Sequence, residues 1–398
     1  MFKKLVSAVL CVMLALTSTT AVFANSDNYM VEAATEYAMP YYYSQLSKKL
    51  QKVYSELREA ILNCKKSVKL NVSLSDNEIE KIWELITDQD PVTFNVSDAS
   101  VSYTSSSATF SIKYKYNKET FNKMLTACDE KADKILAKFT DDMSTYKKIR
   151  VIHDEIIKNT VYNKETDTCG NIYGTLVKKK GKCDGYAKSF SYVCAKAGIR
   201  TVCVTGVAGE NHMWSKVYYN KKWYNVDVTW DDPTGYLKNN STYEYFMISD
   251  ASIRKSHTED KSRFTVPKAD DDSKNYYKVN KRCAEDLASA KSIIKNGLTS
   301  AAKNKVTYYE FQCSSQSVYN QVKNYVNDTE KISSVLKNVK KNTGIKIIPD
   351  IYSYSCNDDQ YTIKFLIFYE KTSLDKYFTD KNSIDGSMIA ALEYYGIK

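Results

Sequence analysis

The chain has 398 residues, 26% of them charged and 43% apolar, with a formal net charge of +10. That length supports two or three domains, and the apolar share supports packed cores over a disordered chain. The lysines are spread along the sequence and do not cluster beside aromatics, which argues against nucleic-acid binding and for a solvated basic surface.

Residues 1–24 read as a signal peptide: Lys3 and Lys4 precede a short apolar core, Leu5 to Leu16, and Val22-Phe23-Ala24 has the small-residue cleavage pattern. The apolar core is too short to cross a bilayer, and no later stretch reaches that length. The expectation is a soluble protein without a membrane span, secreted or cell-wall associated, that carries +8 once the two leader lysines are removed. Nine cysteines then remain, at 64, 128, 169, 183, 194, 203, 283, 313 and 356. An odd number leaves at least one free thiol, for which Cys183 is the natural candidate; the others form up to four disulfides or stay as buried thiols. There is no Cys-x-x-Cys or His-x-x-x-His pair and no calcium-loop spacing, so neither a metal nor a cofactor is expected.

Residues 25–140 read as an N-terminal α+β region. Leu46, Leu50, Val53, Tyr54, Leu57 and Ile61 recur at helical spacing over 41–65, followed by a strand from Val68 to Leu74. Asp76 is the expected cap of a second helix carrying Ile79, Ile82, Trp83 and Ile86, which Asp90-Pro91 ends. Residues 93–116 alternate as two strands around a Ser-rich turn, and 117–138 reads as a helix. The expected role is structural support.

A middle region spans 141–267. Its first helix, 142–159, carries Ile149, Ile152, Ile156 and Ile157 on one face; His153 flanks that face and reads as a packed histidine. Gly181-Lys182-Cys183-Asp184-Gly185 starts a helix whose apolar face is Cys183, Tyr186, Ala187, Phe190, Val193 and Cys194, with Gly198 as its C-cap. His212 to Tyr219 and Lys222 to Trp230 read as two strands joined by the two-residue turn Asn220-Lys221. In that register Trp214 opposes Asp227, and His212 and Asp227 become diagonal neighbours on one face. A slip of one residue would separate them. Asp231 and Asp232 turn the chain with Pro233, and Trp214 and Trp230 either wall a cleft or pack in the core. His257, in the charged segment 255–261, is expected on the surface.

The polar stretch Lys268 to Asn275, including Asp270-Asp271-Asp272, reads as a solvated linker. Beyond it, 276–398 reads as a second α+β domain: a helix over 281–302, a strand from Val306 to Cys313, helices within 315–341, and a hairpin of Ile345–Cys356 and Gln360–Tyr369 around Asn357-Asp358-Asp359. Its many tyrosines read as half-buried strand packing in preference to a ligand platform.

A thiol, an imidazole and a carboxylate are the parts of a cysteine nucleophile, and Cys183, His212 and Asp227 supply them with gaps of 29 and 15 residues. A thiol in the first turn of a helix feels the positive end of the macrodipole, which favours thiolate. The Cys183 backbone N–H is a candidate oxyanion donor, with Tyr173 as a weaker one.

The runs Gly181 to Ala187, His212-Met213-Trp214 and Trp223 to Pro233 together resemble a transglutaminase-like domain of the papain-like Cys-His-Asp superfamily, as found in secreted bacterial proteins. Val151 to Asp154 resembles that family's leading helix and Tyr245 to Asp250 its closing strand, so the resemblance covers roughly 145–260. It implies an α+β papain-like core with an antiparallel sheet and a nucleophile helix. It also implies Cys183 as nucleophile, His212 as general base then acid, and Asp227 as the group that orients the imidazole. The implied function is acyl transfer on a peptide or side-chain amide, either to water (peptidase or amidase) or to an amine (transglutaminase). The partner is then a peptide or protein substrate, cell-wall peptide among the candidates, while the oligomeric state is left open. The alternative is a catalytically silent binding or adhesion module at the cell wall. A cysteine protease on another papain-like fold would need the His and Asp on different elements.

Overall fold

In the computed structural model, residues 40–233, 241–260 and 262–369 are described; the signal peptide expected at residues 1–24 lies outside them. The chain divides into two compact units, one comprising residues up to Ala137 with Ser191–Val202 and Arg263–Thr265, the other Lys138–Phe190, Cys203–Ser262 and the chain from Val266 onward. No helix among the described residues is long and apolar enough to cross a membrane.

In the first unit, the helix Lys48–Leu62 buries Leu50, Val53, Tyr54, Leu57 and Ile61, the face that the spacing predicts. The next helix, Asp76–Glu84, is capped one residue earlier than expected: Ser75 accepts from the Glu78 N–H, and the Glu78 side chain returns to Ser75. Serine at that position closes a capping box, which Asp76 as the cap would forgo. The strands Ser67–Leu70, Val96–Tyr103 and Ala108–Tyr114 form an antiparallel sheet with the last in the middle, and the helix Lys118–Leu136 follows. Asp90, which ends the second helical segment, is buried and accepts from Arg58 at 2.6 Å and Tyr54 at 2.8 Å.

A five-stranded sheet, in the second unit except for Thr201 and Val202, has the order Thr258–Glu259, Thr201–Ala208, Glu210–Tyr219, Lys222–Val226, Phe246–Ile248. The central hairpin has the expected register: Ser215 pairs with Val226, Val217 with Tyr224 and Tyr219 with Lys222. Its turn residues, Asn220 and Lys221, have φ of 49° and 64°, the left-handed pair that matches the twist of the flanking strands. The second strand ends at Val226, four residues short of the expected Trp230. The cause is local: the Asp227 side chain accepts from the backbone N–H groups of Thr229 and Trp230, so these donors serve a turn and not a ladder. The helices Thr145–Asn159 and Cys183–Lys196 complete the core, with Ile149, Ile152, Ile156, Tyr186, Ala187 and Phe190 all buried.

The stretch expected to be a solvated linker is pinned. Asp271 accepts from Lys222 at 2.8 Å and Tyr224 at 3.0 Å, and Asp272 accepts from Lys278 at 2.7 Å. Beyond it, a four-stranded sheet runs in the order Cys283–Ala284, Tyr308–Cys313, Thr362–Tyr369, Ile347–Asn357, with the helices Leu287–Lys303, Gln316–Val326 and Thr329–Thr343. Ile294, Leu298, Val322, Leu336, Phe311 and Phe365 share its core. The fold is α+β, as the sequence pattern predicts.

Candidate functional site

Cys183 is the first residue of its helix, half-buried, and the helical ladder opens with the Tyr186 N–H donating to the Lys182 carbonyl at 3.0 Å. The start of this helix is seated tightly. The Lys182 N–H donates to the Cys169 carbonyl at 2.9 Å, and a Cβ on Gly185 would lie 2.2 Å from that same oxygen. Only glycine permits the approach. The thiol is therefore held by backbone on the segment preceding it, at the positive end of a 14-residue helix.

His212 lies on the strand Glu210–Tyr219, nearly buried, and its Nε2 is 2.6 Å from Asp227 Oδ2. A carboxylate only accepts, so Nε2 carries the proton and Nδ1 is left as the base. The Cys183 thiol is the other hydrogen-bond partner of this imidazole. Burial pulls the His212 imidazolium down, but the Asp227 carboxylate and then Cys183 outweigh it and raise its pKa. Asp227 follows the last residue of its strand and is fully buried. Burial opposes its ionisation, yet His212 and His257 hold it well below the usual carboxylate range. The structure thus brings Cys183, His212 and Asp227 together.

His257 is a correction to the sequence reading. It is buried, not exposed, and its Nε2 lies 2.9 Å from Asp227 Oδ2, the same oxygen that His212 uses. Its Nδ1 is 2.8 Å from Ser256 Oγ, and its ring packs on Trp230, Trp214 and Tyr245 at 4.6, 5.2 and 5.3 Å between centroids. The charge of its neighbours in sequence hides it: Thr258 pairs with Val207 and Glu259 with Gly206 at the edge of the sheet, which turns the preceding residue inward. A Cβ on Gly206 would sit 2.1 Å from the Thr258 carbonyl oxygen, so glycine is what admits this short strand.

His153 is a packed histidine, as read from sequence, and also a polar anchor. It is fully buried, with Nε2 3.1 Å from Asp231 Oδ2 and Nδ1 2.9 Å from Asp154 Oδ1. Asp231 in turn accepts from the Tyr245 N–H at 3.0 Å. The turn after Asp227 is thereby tied to the leading helix. Asp232 accepts from the Tyr186 hydroxyl, so both acids of the expected turn have partners on helices. Trp214 is core, with its Nε1–H donating to Asn225 Oδ1 at 3.1 Å, whereas Trp230 is 38% exposed and borders the histidine pair. Tyr173 opens the Tyr173–Val177 turn with the Lys178 ammonium over its ring. The tyrosine that feels the thiol is Tyr162, whose pKa is raised by burial and next by Cys183. No local motif marks it; the parallel pairing of Tyr162 with Gly181 brings it there.

All nine cysteines from Cys64 to Cys356 are free thiols. Burial pushes the Cys283 thiol up to about 11 and Cys313 up to about 12, and raises Cys128 and Cys194 further. Among the described residues, His212, Asp227 and His257 form a group with ligand atoms within 4.8 Å of one another that could hold a metal ion. The separations of 2.6 and 2.9 Å are hydrogen-bond lengths. Ligands on a tetrahedral ion with bonds of about 2 Å would stand about 3.3 Å apart, so this geometry suits shared protons.

Residues 131–228 match the model of the Transglutaminase-like superfamily. Kyphoscoliosis peptidase of Mus musculus is 37% identical over 68 residues, which cover 14% of this chain and 10% of that protein. Two solved structures are similar in part. One, described as a TGase, has 14% identity and a TM-score of 0.26, covering 44% of this chain and 52% of that one. The other, from Cytophaga hutchinsonii and assigned to the cysteine proteases, has 16% identity and a TM-score of 0.24, covering 34% and 65%. The chain thus spans about a tenth of the curated relative and about half to two thirds of these structures. Residues 131–228 are thus the part of this chain that is similar to the transglutaminase-like superfamily, and they hold the Cys183, His212 and Asp227 cluster.

Proposed function

We propose that this protein is an exported thiol-dependent acyl-transfer enzyme acting on peptide or side-chain amides. The observation that carries the reading is the continuous contact from the Cys183 thiol through the His212 imidazole to the buried Asp227 carboxylate. The leader at residues 1–24 supports export, and cell-wall peptide is a compatible substrate.

In this reading the Cys183 proton passes to His212 Nδ1, and the sulfur attacks the amide carbonyl carbon. The oxyanion forms beside the helix start, with the Cys183 backbone N–H as its candidate donor. Collapse breaks the C–N bond, His212 returns the proton to the departing amine, and a thioester remains on Cys183. Water or a second amine then attacks that thioester, loses a proton to His212, and releases the thiol. Asp227 stays ionised throughout and keeps the imidazole in the Nε2–H tautomer.

Iodoacetamide labelling at pH 6 with mass-spectrometric readout of each thiol tests the reading. Cys183 should react at least tenfold faster than each of the other eight, and the advantage should vanish in His212→Gln. Equal sluggishness of all nine thiols would instead support the silent binding module. If the first result holds, product analysis with a mixed peptide and amine library, with Cys183→Ala as the control, separates hydrolysis from transamidation.

A further inference from the structure

We infer that His257 is a positioning residue for the triad, a second imidazole that fixes the Asp227 carboxylate so that His212 keeps one tautomer and one direction. The inference rests on the acyl-transfer reading above and adds a fourth side chain to it.

The acceptor count on Asp227 carries the argument. Oδ1 takes the N–H groups of Thr229 at 2.9 Å and Trp230 at 3.1 Å. Oδ2 takes Nε2 of His212 at 2.6 Å and Nε2 of His257 at 2.9 Å. A carboxylate offers about four lone-pair directions, and all four are used. Without His257 one of them faces an apolar wall of Trp214, Trp230 and Tyr245. A buried acceptor left empty is costly, and the carboxylate would rotate toward other donors and away from the His212 ring. His257 has its own support: Asp227 Oδ2 only accepts, so Nε2 carries the proton, and Nδ1 is left to accept from Ser256 Oγ–H at 2.8 Å. Tyr245 hydroxyl stands 3.3 Å from that same Ser256 oxygen. The titratable groups facing His257 are thus Asp227, His212 and Tyr245.

The chain has three histidines, so a ¹⁵N-histidine-labelled sample gives a spectrum simple enough to assign by single substitutions. The wild type should show Nε2–H signals for both His212 and His257. Two variants separate positioning from bulk: His257→Gln keeps an N–H donor near Asp227, and His257→Leu removes it. The expected result is that Leu shifts or broadens the His212 Nε2–H signal and slows Cys183 alkylation at pH 6 about tenfold, while Gln stays within about threefold of wild type. Alkylation by the Leu variant at or above the wild-type rate, or a Gln variant as impaired as Leu, overturns the inference. Should the Leu variant fail to fold by circular dichroism, Ser256→Ala replaces it: a displaced His212 signal with slowed alkylation supports the role, and an unchanged signal overturns it. If wild-type Cys183 has no labelling advantage, the acyl-transfer reading fails, while the imidazole signals still report whether His257 orders Asp227.

Discussion

Lys216→Met should destabilise the core around the five-stranded sheet by about 3 kcal/mol, near the lower end of what breaking a buried ion pair costs. The Lys216 ammonium is 1% exposed and makes three contacts: Glu259 Oε1 at 2.6 Å, Asp250 Oδ1 at 2.9 Å and the Pro267 carbonyl at 2.9 Å. Removing it leaves two carboxylates with the half-exposed Arg254 guanidinium as their remaining counter-charge, at 3.3 Å from Asp250 and 3.9 Å from Glu259. Asp250 keeps the Asn225 amide at 2.9 Å and the Ala269 N–H at 3.1 Å, and Glu259 is partly solvated, which is why the lower end applies. Of the four tryptophans, Trp214, Trp223 and Trp230 lie in or beside this sheet, so urea unfolding followed by tryptophan fluorescence reports on it. With a urea slope of about 2 kcal/mol per molar, the midpoint should fall by about 1.5 M. Adding Glu259→Gln should recover part of the loss, because one stranded charge disappears. A midpoint within about 0.5 M of wild type would refute the reasoning and mean that solvent reaches this cluster.

Asp227→Asn should keep the acceptor for the Thr229 and Trp230 N–H groups while presenting an amide N–H to the imidazoles. That moves the His212 proton from Nε2 to Nδ1, visible by ¹⁵N NMR, and should lower turnover by about 10⁴-fold. A second expectation concerns pH. Burial pulls the His153 imidazolium down, but Asp154 and Asp231 outweigh it and raise its pKa to about 9. A histidine raised in the folded state contributes stability that is fully present below its unfolded value of about 6.5 and is lost as pH rises through about 9. The melting temperature should therefore fall between pH 6.5 and 9, and His153→Gln should flatten that slope; an unchanged slope would remove His153 as its cause.

Local patterns carried much of this architecture into view. The strand register around Asn220-Lys221, the buried face of the Cys183 helix and the breaker at Asp90-Pro91 follow from side-chain period and turn chemistry, which act over a few residues. The hidden features depend on contacts across long stretches of chain. His257 reads as exposed because Lys255, Glu259, Asp260 and Lys261 surround it, yet a two-residue strand pairing at Gly206 reverses its direction. Asp227 reads as a strand residue because its flanks are β-formers, and nothing nearby announces that its carboxylate will claim the donors of the next turn. Tyr162 and Asp271 likewise take their partners from segments about 20 and 50 residues away.

The pairing of Thr258–Glu259 against Gly206–Val207 sets where this chain can be cut. A recombinant piece trimmed to the family-matched span, residues 131–228, would retain the thiol, the ring and the acid. It would lose Asp250, His257 and Glu259, leaving the Lys216 ammonium without its two counter-charges and Asp227 short of one donor. Boundaries for a minimal soluble fragment therefore belong beyond residue 260, well outside the stretch in which the motifs are found.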